Sequence, residues 1–259
     1  MDFSKPETVV DLNNIRNVLI RMEDTIVFNL IERAKFPRQP SIYKPGAFNI
    51  SDFDGSFVEW LLREEEIVHA KIRRYESPDE IPFFPNDLPE PILPAIEYPP
   101  VLYPHPNKVN VNDTIKDFYI NDIVPRICAD GEQPENLGSS SLCDVECLRS
   151  LSRRIHFGRF VAEAKYLTET AHMTSLIKSK DVAGLDAAIT NKAVEKQVLA
   201  RLKRKAETYG IDPTLADPQP KASRVNVEAV VEMYENWVIP LTKEVEVEYL
   251  LNRLPKEEA

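Results

Sequence analysis

Arg154 and Lys165 are where chemistry can first be read. They stand eleven positions apart in residues 148–166, a proline-free stretch whose apolar residues recur at three and four: Leu148, Leu151, Ile155, Ala162 and Tyr166. That is helix periodicity. On a helix, eleven residues make about three turns, so the two cations fall within ~20° of one line and ~16 Å apart along the axis. Gly158 and Val161 lie between them on the same stripe. A glycine there costs the helix roughly 1 kcal/mol relative to alanine, which implies that something comes close to the backbone. Two cations flanking a gap of small residues suit a small molecule with two negative charges. The competing reading is two long basic side chains that cover apolar surface and reach water.

Five further positions belong with them. Arg16 sits on the shoulder of an apolar stripe, Asn191 and Glu195 are one turn apart, and Thr242 and Glu246 are one turn apart just beyond Pro240. Converging in a helical core, the seven would present three cations, neutral donors and two carboxyls. The sequence has no convincing nucleophile–base pair, no glycine loop for phosphates and no histidine cluster for zinc. An enzyme built on these residues must therefore do without covalent or metal catalysis. Holding a dianion in one conformation while charge develops in its middle would suffice.

The elements that must carry these residues are helices. Residues 7–35 read as one long helix on Leu12, Ile15, Leu19, Met22 and Ile26, and a second runs from about Gly55 to Glu76. The second ends in Arg73 and Arg74, which either complement the helix dipole or form a paired-arginine anion site. Residues 78–111 carry nine prolines between Pro82 and Pro106, mixed with large apolar residues. A flexible linker would be polar, so this segment is expected to pack against helices and not to divide the chain. Residues 112–128 are helical with a disturbance at Pro125. A loop at 130–141 follows, and one of its serines or Asp144 is expected to cap the next helix. Short helices are expected at 170–178 and 181–189, then a helix over 191–209 stopped by Gly210. Residues 211–224 read as a variable loop, and the last helix, 226–254, is bent at Pro240. Only 7 glycines in 259 residues also favours helices over a sheet of short strands. The expectation is an all-α bundle forming a single domain, 1–259.

Composition narrows the function classes. A net charge of -10 gives no global support for nucleic-acid binding, and the basic run 201–205 reads as a solvated helix face. Three cysteines without a framework pattern indicate a reducing compartment and buried free thiols. With no secretory or transit pattern at the start and no long apolar run, a cytoplasmic location is expected.

Four stretches carry a resemblance that reaches across the chain: residues 146–165, 241–251, Met22-Glu23-Asp24, and 73–80. In these it resembles the all-helical chorismate mutases of fungi and plants. The resemblance implies a cofactor-free isomerase that converts chorismate to prephenate by a pericyclic rearrangement, on the route to phenylalanine and tyrosine. It implies that Arg16 and Arg154 hold the two carboxylates and that Lys165 and Glu246 meet the ether oxygen. Asn191 and Glu195 would lie at the ring hydroxyl, with Thr242 in support. It further implies a homodimer inhibited by tyrosine and activated by tryptophan, with Arg73, Arg74, Asn136, Gly138 and Ser139 as effector positions. Leu142, Glu135 and Asn226 depart from the family pattern and put the effector response in question. Two rival classes are a helical binding or scaffold relative that has lost its chemistry, and a diphosphate-using helical enzyme. The second needs aspartate-rich motifs that the sequence lacks.

Overall fold

Polar caps mark where the helices of the computed structural model begin; it describes residues 2–104, 109–209 and 224–255. Asp11 accepts the Asn14 N–H at 2.8 Å and starts α2, Leu12–Arg33. This cap separates α2 from a single turn, α1, Pro6–Val9, so the single helix expected over 7–35 is two. Ser56 and Glu59 form a reciprocal capping box at the start of α3, Phe57–Lys71. The helix stops there because Arg73 turns left-handed, at φ 68°.

Prolines act one turn upstream of themselves. Pro125 and Pro240 each stand at the start of a helix, α5 (Val124–Ile127) and α12 (Ile239–Leu251), and each is preceded by a π-helical turn. Those turns are Tyr119–Ile123, which follows α4, Asn112–Phe118, and Tyr234–Val238, which follows α11, Val227–Met233. A proline ring would clash with the carbonyl four residues back; widening the turn relieves the clash and accommodates the missing N–H. The expected bend is therefore a π-bulge.

The long stretch around Arg154 is also two helices, α6 (Leu137–His156) and α7 (Gly158–Thr168), joined at Phe157. They are followed by α8, Thr170–Lys178, α9, Val182–Ile189, and α10, Lys192–Thr208. Gly210 and most of the 211–224 segment lie outside the described residues.

Helix α6 is the centre of the larger core, against α2, α3 and α12. Ile26, Leu30, Leu148, Leu151, Ile155 and Val245 meet there, fully or nearly fully buried. Helix α12 packs on α7 and α9 as well as α6 and is buried on several sides, which leaves its polar residues inside the protein. Asp144 does not cap α6. It is buried within that helix, paired with Arg33 of α2 at 2.6 Å, and accepts the hydroxyls of Tyr43 and Tyr119 at 2.7 Å each. With every partner in place, this buried charge pins α2 to α6.

Among the described residues, the proline-rich segment buries side chains mainly toward its ends. Ile81, Val101 and Val109 are buried, and Glu66 of α3 accepts the Phe83 and Phe84 N–H groups at 2.8 Å each. Between them the chain stays outside: Ile92 is 78% exposed, and Leu93 and Ile96 are exposed as well.

Candidate functional site

A cavity of about 350 Å³ opens between α2, the α6–α7 pair, the start of α10, and α12. All seven residues singled out by type and spacing line it: Arg16, Arg154, Lys165, Asn191, Glu195, Thr242 and Glu246. Leu12, Ile15, Leu19, Val161, Val194 and Ile239 make its apolar walls.

Each polar group is positioned by its own element. Arg154, in the last turn of α6, is buried; its Nη1 donates to Thr242 Oγ1 at 3.3 Å, and its guanidinium lies 6.0 Å from the Tyr234 ring centroid. The Thr242 hydroxyl donates back to Val238 O at 2.6 Å, which orients its oxygen toward the guanidinium. Lys165 Nζ, on α7, donates to the Ile189 carbonyl at the end of α9. Arg16 stands exposed at the mouth and makes no hydrogen bond or ion pair among the described residues.

Two residues are partly committed to structure. Asn191 is the N-cap of α10 and not part of it: its Oδ1 accepts the Ala193 and Val194 N–H groups at 3.1 and 3.2 Å, leaving its amide N–H groups for a ligand. Glu195 is paired with Lys243 at 2.8 Å.

Glu246 is 6% exposed, and burial pushes its pKa up to about 7 against the pull of Lys165, Arg154 and Lys243. Burial acts on Lys165 in the opposite sense and lowers its pKa, with Glu246 opposing. Glu246 Oε2 and Arg154 Nε are both buried without a hydrogen-bond partner. Buried polar atoms ordinarily have partners, so this pair points to a ligand.

Sequence reasoning missed four polar residues of the lining: Glu23, Gln197, Arg201 and Lys243. Arg201 does not belong to a solvated face. It holds the buried Glu23 through two bonds at 2.7 and 2.6 Å, and Lys205 adds a third at 3.2 Å. The available signal was Glu23 itself, an acidic residue beside Met22 on the apolar stripe of α2. With Glu23 and Glu195 neutralised by these partners, Arg16, Arg154 and Lys165 face Glu246 alone. The surplus is two positive charges with Glu246 ionised and three with it protonated.

Gly158 permits a close approach, but of a helix and not of a ligand. A Cβ there would meet Thr242 O at 2.9 Å, Thr242 Cγ2 at 3.0 Å and Glu246 Cγ at 3.1 Å. The glycine thus lets α12 carry its two site residues against α7.

The suggested effector positions lie elsewhere. Arg73 donates to the Pro94 carbonyl and Arg74 pairs with Glu80 at 2.7 Å. Asn136 bonds Gln133 at 3.1 Å, and Gly138 and Ser139 are exposed in the first turn of α6. Among the described residues no hydrogen bond joins the two arginines to the 136–139 turn. Both Nε atoms of the arginines are buried without a partner.

A family model described as Chorismate mutase type II matches residues 138–247. A chorismate mutase of Pichia angusta is 56% identical over 100% of this chain and 92% of its own length. The chorismate mutase of Candida albicans, solved in complex with L-tryptophan, superposes with a TM-score of 0.94 at 53% identity and covers 99% of this chain and 98% of its own. The structure of AtCM1 with tyrosine bound in its allosteric site superposes at 0.85 with 44% identity, covering 94% of this chain and 96% of its own.

Proposed function

The chain belongs to the chorismate mutase type II family, and from that premise we propose that it isomerises chorismate to prephenate in the 350 Å³ cavity. One ether C–O bond breaks as one C–C bond forms, with no atom gained or lost. The observation that carries the reading is the surplus of positive charge facing a buried carboxyl held near neutrality.

Arg16 and Arg154 take the two carboxylates, and bidentate contacts restrain the folded conformer that brings the reacting carbons together. Lys165 places a full positive charge at the ether oxygen, where negative charge grows as the C–O bond stretches. Glu246 serves the same oxygen as its acid form, because an ether has no proton to offer an ionised carboxylate. Asn191 and Glu195 address the ring hydroxyl, and Thr242 holds Arg154 in place. Even modest enzymatic acceleration requires about 8 kcal/mol, and one preorganised donor contributes roughly 3–4. Two donors and a restrained conformer are therefore enough.

Regulation belongs to the same reading. The C. albicans relative is solved with L-tryptophan and AtCM1 with tyrosine in an allosteric site. We extend this to a homodimer with tyrosine inhibiting and tryptophan activating, and with Arg73, Arg74, Asn136, Gly138 and Ser139 as the effector positions. Coverage of the whole chain by its relatives supports one domain over 1–259. Among the described residues no helix is long and apolar enough to cross a membrane, and the three cysteines are free, which supports a cytoplasmic location.

Loss of chorismate absorbance on adding the purified chain in the presence of a chelator tests the activity. No loss would leave the binding or scaffold relative as the reading. Turnover with tyrosine, then tryptophan, tests the regulation; a flat response to both would trace to the departures at Leu142, Glu135 and Asn226, of which Leu142 is exposed on α6 one turn beyond Gly138.

A further inference from the structure

A second cavity, of about 360 Å³, lies away from the first, between residues 75–81, residues 102–104, Val109, and side chains of α7 and α12. Ile81, Leu102, Tyr103 and Tyr249 make much of its wall, and its one cation among the described residues is Arg159. Arg159 is only 7% exposed. Its Nε donates to His156 O at 3.1 Å and its Nη2 to Pro78 O at 2.9 Å. A guanidinium has five N–H groups. The other three meet no acceptor among the described residues, and no carboxylate pairs with it there.

Three of the acids around it are engaged elsewhere, and Glu76 accepts the Ile96 N–H at 3.1 Å. Asp79 is held by Arg153 and Ser77, Glu80 by Arg74 and Arg153, and Glu163, one turn along α7, by Tyr249 and Arg253. Burial pulls the Arg159 pKa down to about 10 against the opposing pull of Tyr249 and Asp79. Buried cations are ordinarily paired with an anion, and this one lines an open cavity.

We propose that this cavity binds a small monocarboxylate with an aromatic or branched apolar body, the carboxylate on the free edge of Arg159 and the body against Ile81, Leu102 and Tyr103. Glu76 also lines the space and pairs with no cation among the described residues, so a second negative charge on the ligand would meet like charge. That separates this site from the dianion cavity. The proposal does not depend on the isomerase reading.

Isothermal titration of the full chain tests it, with 3-phenylpropanoate as probe, 3-phenylpropanamide as the uncharged isostere and phenylsuccinate as the dianion. The acid is expected to bind the unaltered chain and Lys165→Ala alike. Binding should weaken at least tenfold in Arg159→Gln and in Leu102→Trp, and at least tenfold for the amide and for phenylsuccinate. Leu102→Trp fills the space while leaving the guanidinium, so the test survives if Arg159→Gln does not fold. Absence of binding by the acid overturns the proposal. So does an amide or a dianion that binds as tightly, or binding abolished by Lys165→Ala but untouched by Leu102→Trp.

Discussion

Glu246→Gln is the substitution that separates a carboxyl acting as an acid from one that merely lines the cavity. Burial holds the Glu246 pKa at about 7, so near neutrality about half the molecules carry the proton. Two pH units higher only ~1% do, and kcat/KM should fall about tenfold per unit above pH 7. The fall should level off once ~10²–10³ is lost, the worth of one preorganised donor, with Lys165 still in place. A bound dianion raises the carboxyl pKa further, so the kcat profile should break at higher pH than that of kcat/KM. Glutamine keeps a neutral donor in the same space, and its profile should be flat where the parent falls. A loss at still higher pH that persists in the variant belongs to Lys165, whose half-buried ammonium titrates below its ordinary range. Stability offers a second readout. A carboxyl raised from 4.5 to about 7 on folding supports the fold fully below pH 4.5. That support, roughly 3 kcal/mol, is lost as pH rises through 7. Glu246→Gln should remove this slope from the ligand-free protein. Superimposable pH–rate profiles for parent and variant would refute the acid role.

Lys165→Ala should lower turnover by about 10²–10³ with the helical circular dichroism unchanged; near-normal turnover would place the chemistry elsewhere. Gly158→Ala should destabilise the protein by about 1–3 kcal/mol, because its Cβ meets the Thr242 carbonyl at 2.9 Å and forces α12 away from α7. Turnover should fall with it, since Thr242 and Glu246 ride on α12, and calorimetry with an activity assay reads both. Asp144→Ala should cost about 3–5 kcal/mol by leaving Arg33 buried without its counter-ion, measured by urea unfolding, with KM for chorismate unchanged while the protein remains folded.

Local patterns carried much of this molecule in its sequence. The helices and the disturbances at Pro125 and Pro240 follow from rules that act within a turn or two. Arg154 and Lys165 could be placed on one stripe for the same reason, as could Thr242 and Glu246. Which stripe meets which is not a local property. The Phe157 junction, the seating of α12 on Gly158 and the closing of Glu23 by Arg201 depend on residues far apart in the chain, joined only by packing. Asp144 shows the limit plainly: a residue suited by type to cap a helix became a buried counter-ion because Arg33 arrives from α2. The raised pKa of Glu246 is decided in the same way, because desolvation exists only once other helices cover the carboxyl. Residue type and spacing thus assigned the charges to faces, and tertiary burial decided which of those charges are balanced and which remain for a ligand.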